Sequence, residues 1–224
     1  MTRGGDVAVL VSGGVESSIL CVELLAQFRR VLPIYVRFGL LWEAVELAHL
    51  RRYLTAVQRP GLLGLTILEE PIADVYGDHW STGRGEVPGE ETSDDAMELA
   101  GRNLLLTAKA AVWCHLRGVE ALALGCLATN PFPDSTSRFF DGLQTAIGEG
   151  LGGPIRLLRP FGRMHKADVL RAGAGLPLGL TFSCVAPSGS RHCGACNKCA
   201  ERRKGFRDVG MADTTEYATE PIHA

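Results

Sequence analysis

A short apolar run that ends in a serine–glycine–glycine turn restricts the fold of this chain more than any other stretch. Residues 7–11 are all apolar, which is typical of a strand buried on both faces of a sheet. Ser12, Gly13 and Gly14 follow directly, and a helical pattern begins at Ser17. Such a turn brings together the unpaired N–H groups and the positive dipole end of a helix. The stretch predicts an anion site, although an ordinary strand-to-helix turn built from small residues fits the same letters.

Strand and helix patterns alternate along the rest of the chain. Apolar runs predict further strands over residues 31–38, 62–68, 120–125 and 155–158, and helical periods predict helices over 42–57, 102–117, 138–147 and 166–172. Repeated strand–helix units form a parallel sheet that helices cover on both faces. We therefore predict an α/β fold with a doubly wound parallel sheet. Ligands bind outside the carboxyl ends of such strands, so the loops 12–18, 37–43, 73–100 and 126–137 should share one edge.

One connection is too long to be a simple link. Residues 73–98 are polar and glycine-rich and show no clean period, which predicts a loop. Loops of this length in a compact domain are usually functional or mobile. We take this loop as the candidate lid of the site.

Length and charge narrow the class of function. The 224 residues suit one domain, and contents of 46% hydrophobic and 21% charged residues argue against a disordered chain. A net charge of −2 gives no basic field, so a nucleic-acid partner is not expected. No apolar stretch approaches the ~20 residues that span a bilayer, and the N-terminus lacks the apolar segment of a secretory signal. We expect a cytoplasmic protein with no membrane partner.

Four of the seven cysteines crowd into the C-terminal quarter. Their C-x₈-C-x₂-C-x₂-C spacing suits a tetrahedral Zn²⁺ site, with Cys184, Cys193, Cys196 and Cys199 as ligands. The number of cysteines also allows a [4Fe–4S] cluster or disulfides. The cluster is less favoured because no redox role is visible, and disulfides are less favoured because the chain shows no export signal. Four protein ligands make a structural site, so we divide the chain into an α/β domain (1–182) and a metal-binding segment packed on it (183–224). The remaining cysteines, Cys21, Cys114 and Cys126, are expected in the core.

The letters S-G-G-V-E-S at residues 12–17 resemble the S-G-G-x-D-S signature of the PP-loop ATP pyrophosphatases, with Glu16 in place of the aspartate. They lack the spacing and the lysine of a Walker A loop. Together with the cysteine pattern, they resemble one family, the 7-cyano-7-deazaguanine synthases of the queuosine pathway. That family converts 7-carboxy-7-deazaguanine to the nitrile with ATP and ammonia. The resemblance implies a Rossmann-like, adenine nucleotide α-hydrolase-like domain followed by a four-cysteine zinc segment.

Stretches between the two motifs extend the resemblance over about residues 6–206. Residues 101–103 (G-R-N) match the family's P-G-R-N, with alanine in place of the proline, and residues 125–134 are similar to a shortened substrate loop. Lys166 lies in a matching R-P-F-G-R-M-H-K-A-D segment. It also stands at a predicted helix start, where the dipole disfavours a cation, and this indicates a phosphate or carboxylate partner.

The resemblance also implies roles for single residues. ATP with Mg²⁺ would be bound by Val11, Ser12, Gly13, Gly14, Val15, Glu16, Ser17, Ser18 and Arg102. Catalysis would involve Ser12, Glu16, Ser17 and Lys166. The substrate would contact Asn103, Thr129, Asn130 and Asp134. Structural alternatives stay open, namely helix capping for the serines and Asp134, a solvated carboxylate for Glu16, and a helix start for Arg102.

One stretch departs from the family where substrate should bind. Residues 38–42 read F-G-L-L-W in place of Y-G-Q-x-H, and each polar partner that a purine analogue loses costs about 1–3 kcal/mol. The first expectation is an ATP-dependent C–N ligase that adenylates 7-carboxy-7-deazaguanine and captures it with ammonia. One alternative is a PP-loop enzyme acting on another carboxylate or on tRNA. Another is a catalytically reduced ATP- or partner-binding module, with a contact patch at Leu40, Leu41 and Trp42.

Two smaller expectations complete the sequence analysis. Members of the family often pair, so a homodimer is expected from the resemblance. The histidines stand alone in the sequence without a visible catalytic partner, so no catalytic role is expected for His49, His79, His115 or His192.

Overall fold

Five parallel strands form one sheet in the order β3-β2-β1-β4-β5. The structure is a computed structural model that describes residues 4–219. The strands are β1 (Gly4–Leu10), β2 (Phe28–Arg37), β3 (Thr66–Glu69), β4 (Ala121–Ala123) and β5 (Arg156–Leu158). The predicted α/β fold with a parallel sheet is confirmed.

Seven α-helices connect and cover these strands within residues 4–219. They are α1 (Val15–Glu23), α2 (Glu43–Ala56), α3 (Ala73–Tyr76), α4 (Arg102–His115), α5 (Ser137–Leu151), α6 (Lys166–Ala172) and α7 (Asn197–Asp208). The chain runs outward from β1 to β3 on one side and continues with β4 and β5 on the other. The order reverses between β1 and β4, which is where ligands bind in open α/β sheets.

The central strand β1 is apolar on both faces, because each face packs against a helical layer. Val7 and Val9 belong to a core that includes buried side chains of α1, α2, α6 and α7. Ala8 and Leu10 point to the opposite face, where α4 and α5 supply the buried side chains. Successive side chains of a strand alternate between faces, so an unbroken apolar run is needed to fill both cores.

Pro33 lies inside β2 without disturbing the sheet. The Val31 N–H donates to the Gly61 carbonyl at 2.8 Å on the β3 side, and Pro33, two residues further, faces the same side. Strand β3 pairs with β2 only from Ile34 opposite Thr66 onward. The missing N–H of Pro33 therefore falls before the ladder begins, which makes a proline tolerable here.

Several boundaries differ from the sequence prediction. Helix α1 begins at Val15 rather than at Ser17, and α5 continues past residue 147 to Leu151, where Gly152 with φ of 65° ends it. Strand β3 is shorter than predicted, because Leu62 forms only an isolated bridge. The long loop 73–98 contains short helical turns but is otherwise irregular.

Helix α7 was not predicted. Its sequence, N-K-C-A-E-R-R-K-G-F-R-D, has few apolar residues, so a helical period is hard to see. Its buried side chains include Cys199, Arg202 and Phe206, of which only Phe206 is a large apolar residue. None of the helices over residues 4–219 combines the length and the apolar character needed to cross a bilayer.

Arg202 fixes α7 to the segments around it. The side chain is 1% exposed and donates to Thr215 Oγ1 at 2.7 Å, Thr181 Oγ1 at 2.9 Å and the Leu178 carbonyl at 2.8 Å. We expect Arg202→Ala to lower the free energy of unfolding by about 3–5 kcal/mol, because several buried acceptors lose their donor. Urea denaturation measures the change.

The matched control for this prediction is the exposed Arg207, on the same helix. Arg207→Ala should change the free energy of unfolding by less than about 0.5 kcal/mol. Equal effects of the two substitutions would contradict the anchoring role of Arg202.

Candidate active site

A cavity of about 460 Å³ lies at the carboxyl ends of β1, β2 and β4. This volume is typical of small-molecule sites. The four loops that were predicted at the carboxyl edge of the sheet all contribute side chains to its wall. Ten of the predicted site residues line it: Val11, Ser12, Gly14, Glu16, Ser17, Arg102, Asn103, Thr129, Asn130 and Lys166.

The turn between β1 and α1 leaves the N-terminus of α1 open. Gly14 is the residue before the first helical turn, and no side chain caps that turn. The Ser12 N–H donates to Ser17 Oγ at 3.1 Å, and the Gly14 N–H donates to Ser12 Oγ at 3.3 Å. Gly13 has a φ of 79°, a conformation that glycine adopts without strain. The backbone N–H groups of the first turn and the helix dipole therefore form an anion site.

Four of the predicted residues lie outside the cavity wall. Val15 and Ser18 are buried in the core beneath the loop, and Ser18 Oγ has no hydrogen-bond partner among the described residues. The Gly13 carbonyl accepts from the Phe182 N–H at 2.7 Å. Asp134 contacts α4 instead. Their predicted ligand contacts stay predictions, but any contribution of Val15 and Ser18 runs through the backbone or the packing of the loop.

Lys166 connects the loop to the C-terminal helix. Its Nζ lies 3.1 Å from Glu16 Oε1 and 2.7 Å from Glu201 Oε1. Lys198 Nζ lies 2.8 Å from the other oxygen of Glu201. The sequence analysis predicted a phosphate or carboxylate partner for Lys166. The structure provides two carboxylate partners, Glu16 and Glu201.

These ion pairs keep the lysine charged. Burial by itself lowers the pKa of Lys166, but the Glu16 and Glu201 carboxylates more than offset it, so that the pKa is raised. Burial raises the pKa of Glu201, and Lys166 and Lys198 bring it down to about 2. A fixed positive charge thus lies beside an open helix N-terminus, an arrangement that binds phosphate.

Arg102 and Asn103 form the first turn of α4. Arg102 lines the cavity, and its buried Nε has no hydrogen-bond partner within the described residues. The Asn103 N–H donates to Asp134 Oδ2 at 2.8 Å, and Asn103 Nδ2 donates to Asp134 Oδ1 at 3.0 Å. Asp134 thus caps α4, not the helix that follows it in sequence, which Thr136 caps. An arginine that lines the cavity and has an unpaired donor suits an anionic ligand.

The 126–137 loop supplies the wall opposite α2. Thr129 and Asn130 line the cavity, and Asn130 Oδ1 accepts from the Phe132 N–H at 3.1 Å. Cys21 and Cys114 are fully buried, as predicted, whereas Cys126 is half-buried, packs against the core and also lines the cavity. Burial raises the pKa of the Cys126 thiol to about 11, which keeps it protonated and unreactive near neutral pH.

The F-G-L-L-W stretch turns inward. Leu40 and Trp42 are buried in the cavity wall, and the Trp42 ring stacks on that of Trp80 at 5.6 Å between centroids. Of the three side chains Leu40, Leu41 and Trp42, only Leu41 is exposed. The contact patch expected at Leu40, Leu41 and Trp42 is therefore wrong. The long loop provides Trp80, Met97 and Leu99 to the cavity, so it covers part of the site, while its motion as a lid stays a prediction.

The four clustered cysteines converge as a metal site requires. Their Sγ atoms all lie within 4.8 Å of one another, and the pairs Cys193–Cys199 and Cys184–Cys196 are each 3.9 Å apart. Zn–S bonds of ~2.3 Å place tetrahedral sulfurs about 3.8 Å apart, so the donor set fits zinc. Backbone N–H groups also point at the sulfurs, for example that of residue 193 to Cys184 Sγ at 3.2 Å, and stabilise thiolates.

Two histidines are not isolated, contrary to the sequence analysis. The rings of His49 and His192 lie 6.0 Å apart and both contact Phe182. His192 Nε2 accepts from the Ser183 N–H at 3.1 Å. Burial lowers the pKa of His192 to about 3, with help from Arg202 and His49, so the ring is neutral and acts as a structural acceptor.

Comparison with known proteins decides the family. The family model described as "Queuosine biosynthesis protein QueC" matches residues 6–210. The chain belongs to the QueC family. It is 28% identical to the 7-cyano-7-deazaguanine synthase of Methanothermobacter thermautotrophicus, over 93% of this chain and 97% of that one. Identity to the synthase of Methanothrix thermoacetophila is 29%, over 95% and 99% of the two chains.

A solved structure supports the fold. The crystal structure of a predicted subunit of tRNA methyltransferase from Methanocaldococcus jannaschii is similar over 97% of this chain and 93% of that chain. The TM-score is 0.50 and the sequence identity is 13%. At this identity the likeness extends to the fold alone.

The cavity of this QueC family chain also contains residues that the sequence analysis missed. Two lie on α7, Lys198 and Glu201, and could not be placed without that helix. Others include Tyr35 of β2 and Glu43 and Glu46 of α2. The sequence did contain a signal for the two glutamates. They stand at the start of a helix that directly follows a parallel strand, and such a position lies at the carboxyl edge of the sheet.

Proposed function

We propose that this chain is an ATP-dependent ligase that adenylates a carboxylate and captures it with ammonia. The most specific form of the proposal is the conversion of 7-carboxy-7-deazaguanine to 7-cyano-7-deazaguanine. One observation carries the proposal. In this member of the QueC family, a single cavity contains the uncapped N-terminus of α1, the charged Lys166 and the stacked rings of Trp42 and Trp80. Phosphate and a planar ring can be held at once in such a cavity.

The Ser12–Ser17 turn and the cations beside it support a proposed position for the phosphates of ATP. Pyrophosphate would contact the N–H groups of the Ser12–Ser17 turn, with Lys166 and Arg102 supplying positive charge. Mg²⁺ would enter bound to ATP. We propose that Glu16 orients Lys166 rather than binding the metal, because its carboxylate already lies 3.1 Å from Lys166 Nζ.

The chemistry needs positioning and charge stabilisation rather than a side-chain nucleophile. A carboxylate oxygen attacks the α-phosphorus, the bond to the β-phosphate oxygen breaks, and pyrophosphate leaves with the electron pair. Ammonia then attacks the acyl carbon, loses a proton and displaces AMP to give the amide. A second activation at the amide oxygen, followed by loss of AMP and the remaining N–H protons, gives the nitrile.

Water must stay out during these steps, because it would hydrolyse the acyl adenylate. The apolar wall formed by Phe38, Leu40, Trp42 and Trp80 suits that requirement. The same wall offers fewer polar groups to a purine than Y-G-Q-x-H does. It therefore favours, as the second candidate, a different carboxylate with a more apolar body.

We propose zinc as the occupant of the four-cysteine site, in a structural role, since all four positions are filled by the protein. Free thiols of this kind persist in reducing compartments, so we keep the cytoplasm as the proposed location. The homodimer and the division at residue 182 stay predictions.

Pyrophosphate release tests the proposal. ATP, Mg²⁺ and ammonium are supplied with and without 7-carboxy-7-deazaguanine, and products are followed by mass spectrometry. We expect substrate-dependent pyrophosphate and a nitrile. Release that depends on another carboxylate would move the assignment to the second candidate, and ATP binding with no release on any carboxylate would indicate a binding module.

A further inference from the structure

Two buried carboxylates, those of Glu43 and Glu46, line the cavity, and the proposed reaction assigns no role to either. Glu43 and Glu46 lie three residues apart at the start of α2, where the helix dipole favours negative charge. They are 3% and 7% exposed. Burying two neighbouring carboxylates costs free energy unless each finds donors, so their partners indicate what they do.

The partners of Glu43 come from the chain itself. Its Oε1 accepts from the Phe38 N–H, and its Oε2 accepts from the Gly39 N–H at 2.9 Å. Both oxygens are thus engaged with the backbone just after β2. Glu43 holds that turn in place.

Glu46 is only partly satisfied. Tyr35 Oη donates to its Oε2 at 2.5 Å, and the Trp42 side chain also hydrogen-bonds to the carboxylate. An ionised carboxylate offers about four acceptor positions, so about two remain. Arg102 lies close enough to favour the negative charge. A buried carboxylate with spare acceptor positions at a cavity wall is a candidate for ligand binding.

The position of Glu46 brings it near any ligand of the phosphate loop. A Cβ atom added at Gly13 would lie 3.3 Å from Glu46 Cγ, so the side chain packs directly against the loop. The stacked rings of Trp42 and Trp80 provide flat apolar surface in the same cavity. Because Glu46, Trp42 and Trp80 line the same cavity as Ser12 and Ser17 of the loop, a planar ligand held there can reach the Glu46 carboxylate.

We propose that Glu46 is a specificity-determining residue that accepts two hydrogen bonds from adjacent donors on one ligand edge. The inference rests on the proposed function, which offers two such edges. One is the ring N–H and exocyclic amino group of the deazapurine, and the other is the vicinal hydroxyl pair of the ATP ribose. A site built to accept from such donors rejects analogues that lack one of them.

The titration of Glu46 gives this contact a pH dependence. Burial raises the pKa of Glu46 to about 7, Glu43 adds to the rise, and Tyr35, Arg102 and Trp42 oppose it. Two ligand donors need the ionised carboxylate, so binding releases the proton and weakens as the pH falls below 7.

Calorimetric binding of unreactive ligands tests the proposal without turnover. One arm compares 7-deazaguanine with 7-deazahypoxanthine, which lacks the amino group, and the other compares ATP with its 2′-deoxy and 3′-deoxy analogues. At pH 8 we expect the complete ligand of one arm to bind at least tenfold more tightly than its analogue. Glu46→Gln should reduce that ratio below threefold. The control is Glu23→Gln, at an exposed glutamate of α1 outside the cavity lining, and it should keep the wild-type ratio.

The arm that responds identifies the ligand edge. Failure of the wild type to discriminate in either arm, an unchanged ratio in Glu46→Gln, or an equal loss in both variants overturns the proposal. If Glu46→Gln does not fold, the wild-type chain decides. The affinity ratio between the complete ligand and its analogue should then fall at least threefold from pH 8 to pH 6, and a constant ratio would overturn the proposal. A Glu46-dependent ratio without pyrophosphate release would refute only the proposed function.

Discussion

Replacing Lys166 with methionine is expected to lower substrate-dependent pyrophosphate release by roughly 10²–10³-fold, because the reaction loses its fixed positive charge at the departing phosphates. Methionine keeps most of the length of the side chain and removes only the ammonium group. Glu16, which lies 3.1 Å from Lys166 Nζ, is then left facing the cavity without its cation, and Glu201 keeps only its ion pair with Lys198. Their negative charge would repel ATP, so the KM for ATP should rise as well as kcat fall.

Steady-state kinetics with a matched control decide this prediction. Lys109 forms an ion pair with Glu70 at 3.0 Å on the surface, away from the cavity. Lys109→Met should leave both kinetic constants within about twofold, since exposed ion pairs contribute little. A loss below threefold in Lys166→Met, with the fold intact, would show that Lys166 does not act on the phosphates.

Replacing Cys196 with serine is expected to release the zinc and to destabilise the chain by about 5 kcal/mol or more, because the binding energy of a structural zinc is folding energy. The cysteine cluster lies at the start of α7, which supplies Cys199 to the cluster and Glu201 to Lys166. Loss of the metal should therefore reduce ATP binding in any fraction that stays folded. Metal analysis of the purified chain and urea denaturation measure both effects.

Cys114→Ala is the control for the metal site. Cys114 is fully buried in α4 and belongs to the core rather than to the cysteine cluster. This variant should keep one zinc per chain, and its free energy of unfolding should fall only by the amount that a small core truncation costs. Wild-type chain that contains iron and sulfide instead of zinc, or a Cys196→Ser variant that keeps full zinc and stability, would contradict the assignment.

The alternation of strands and helices in a parallel sheet could be predicted because local patterns and topology agree. The apolar run of β1 fills two cores, so its letters alone indicate a strand buried on both faces. Helix α7 escaped prediction for the opposite reason. It is held by metal ligands and by the buried Arg202 more than by an apolar stripe, and neither feature produces a 3.6-residue hydrophobic period.

The residues around the Ser12–Ser17 turn could be predicted from the sequence, whereas the apolar wall of the cavity could not. Ser12, Glu16 and Lys166 stand in recognisable motifs, and the cavity brings them together. The role of Phe38–Trp42 depended on the direction in which side chains point, which the letters do not contain. Phe38, Leu40 and Trp42 are buried in the cavity wall and close the site, whereas the sequence alone also allowed an exposed contact patch.

Oxygen transfer tests the central claim, carboxylate adenylation, most directly. 7-Carboxy-7-deazaguanine labelled with ¹⁸O in its carboxylate is incubated with the chain, ATP, Mg²⁺ and ammonium, and the AMP is analysed by mass spectrometry. Because each activated oxygen leaves on the α-phosphorus, every AMP should carry one ¹⁸O. Unlabelled AMP, or ¹⁸O found in inorganic phosphate, would contradict adenylation of the carboxylate by this chain.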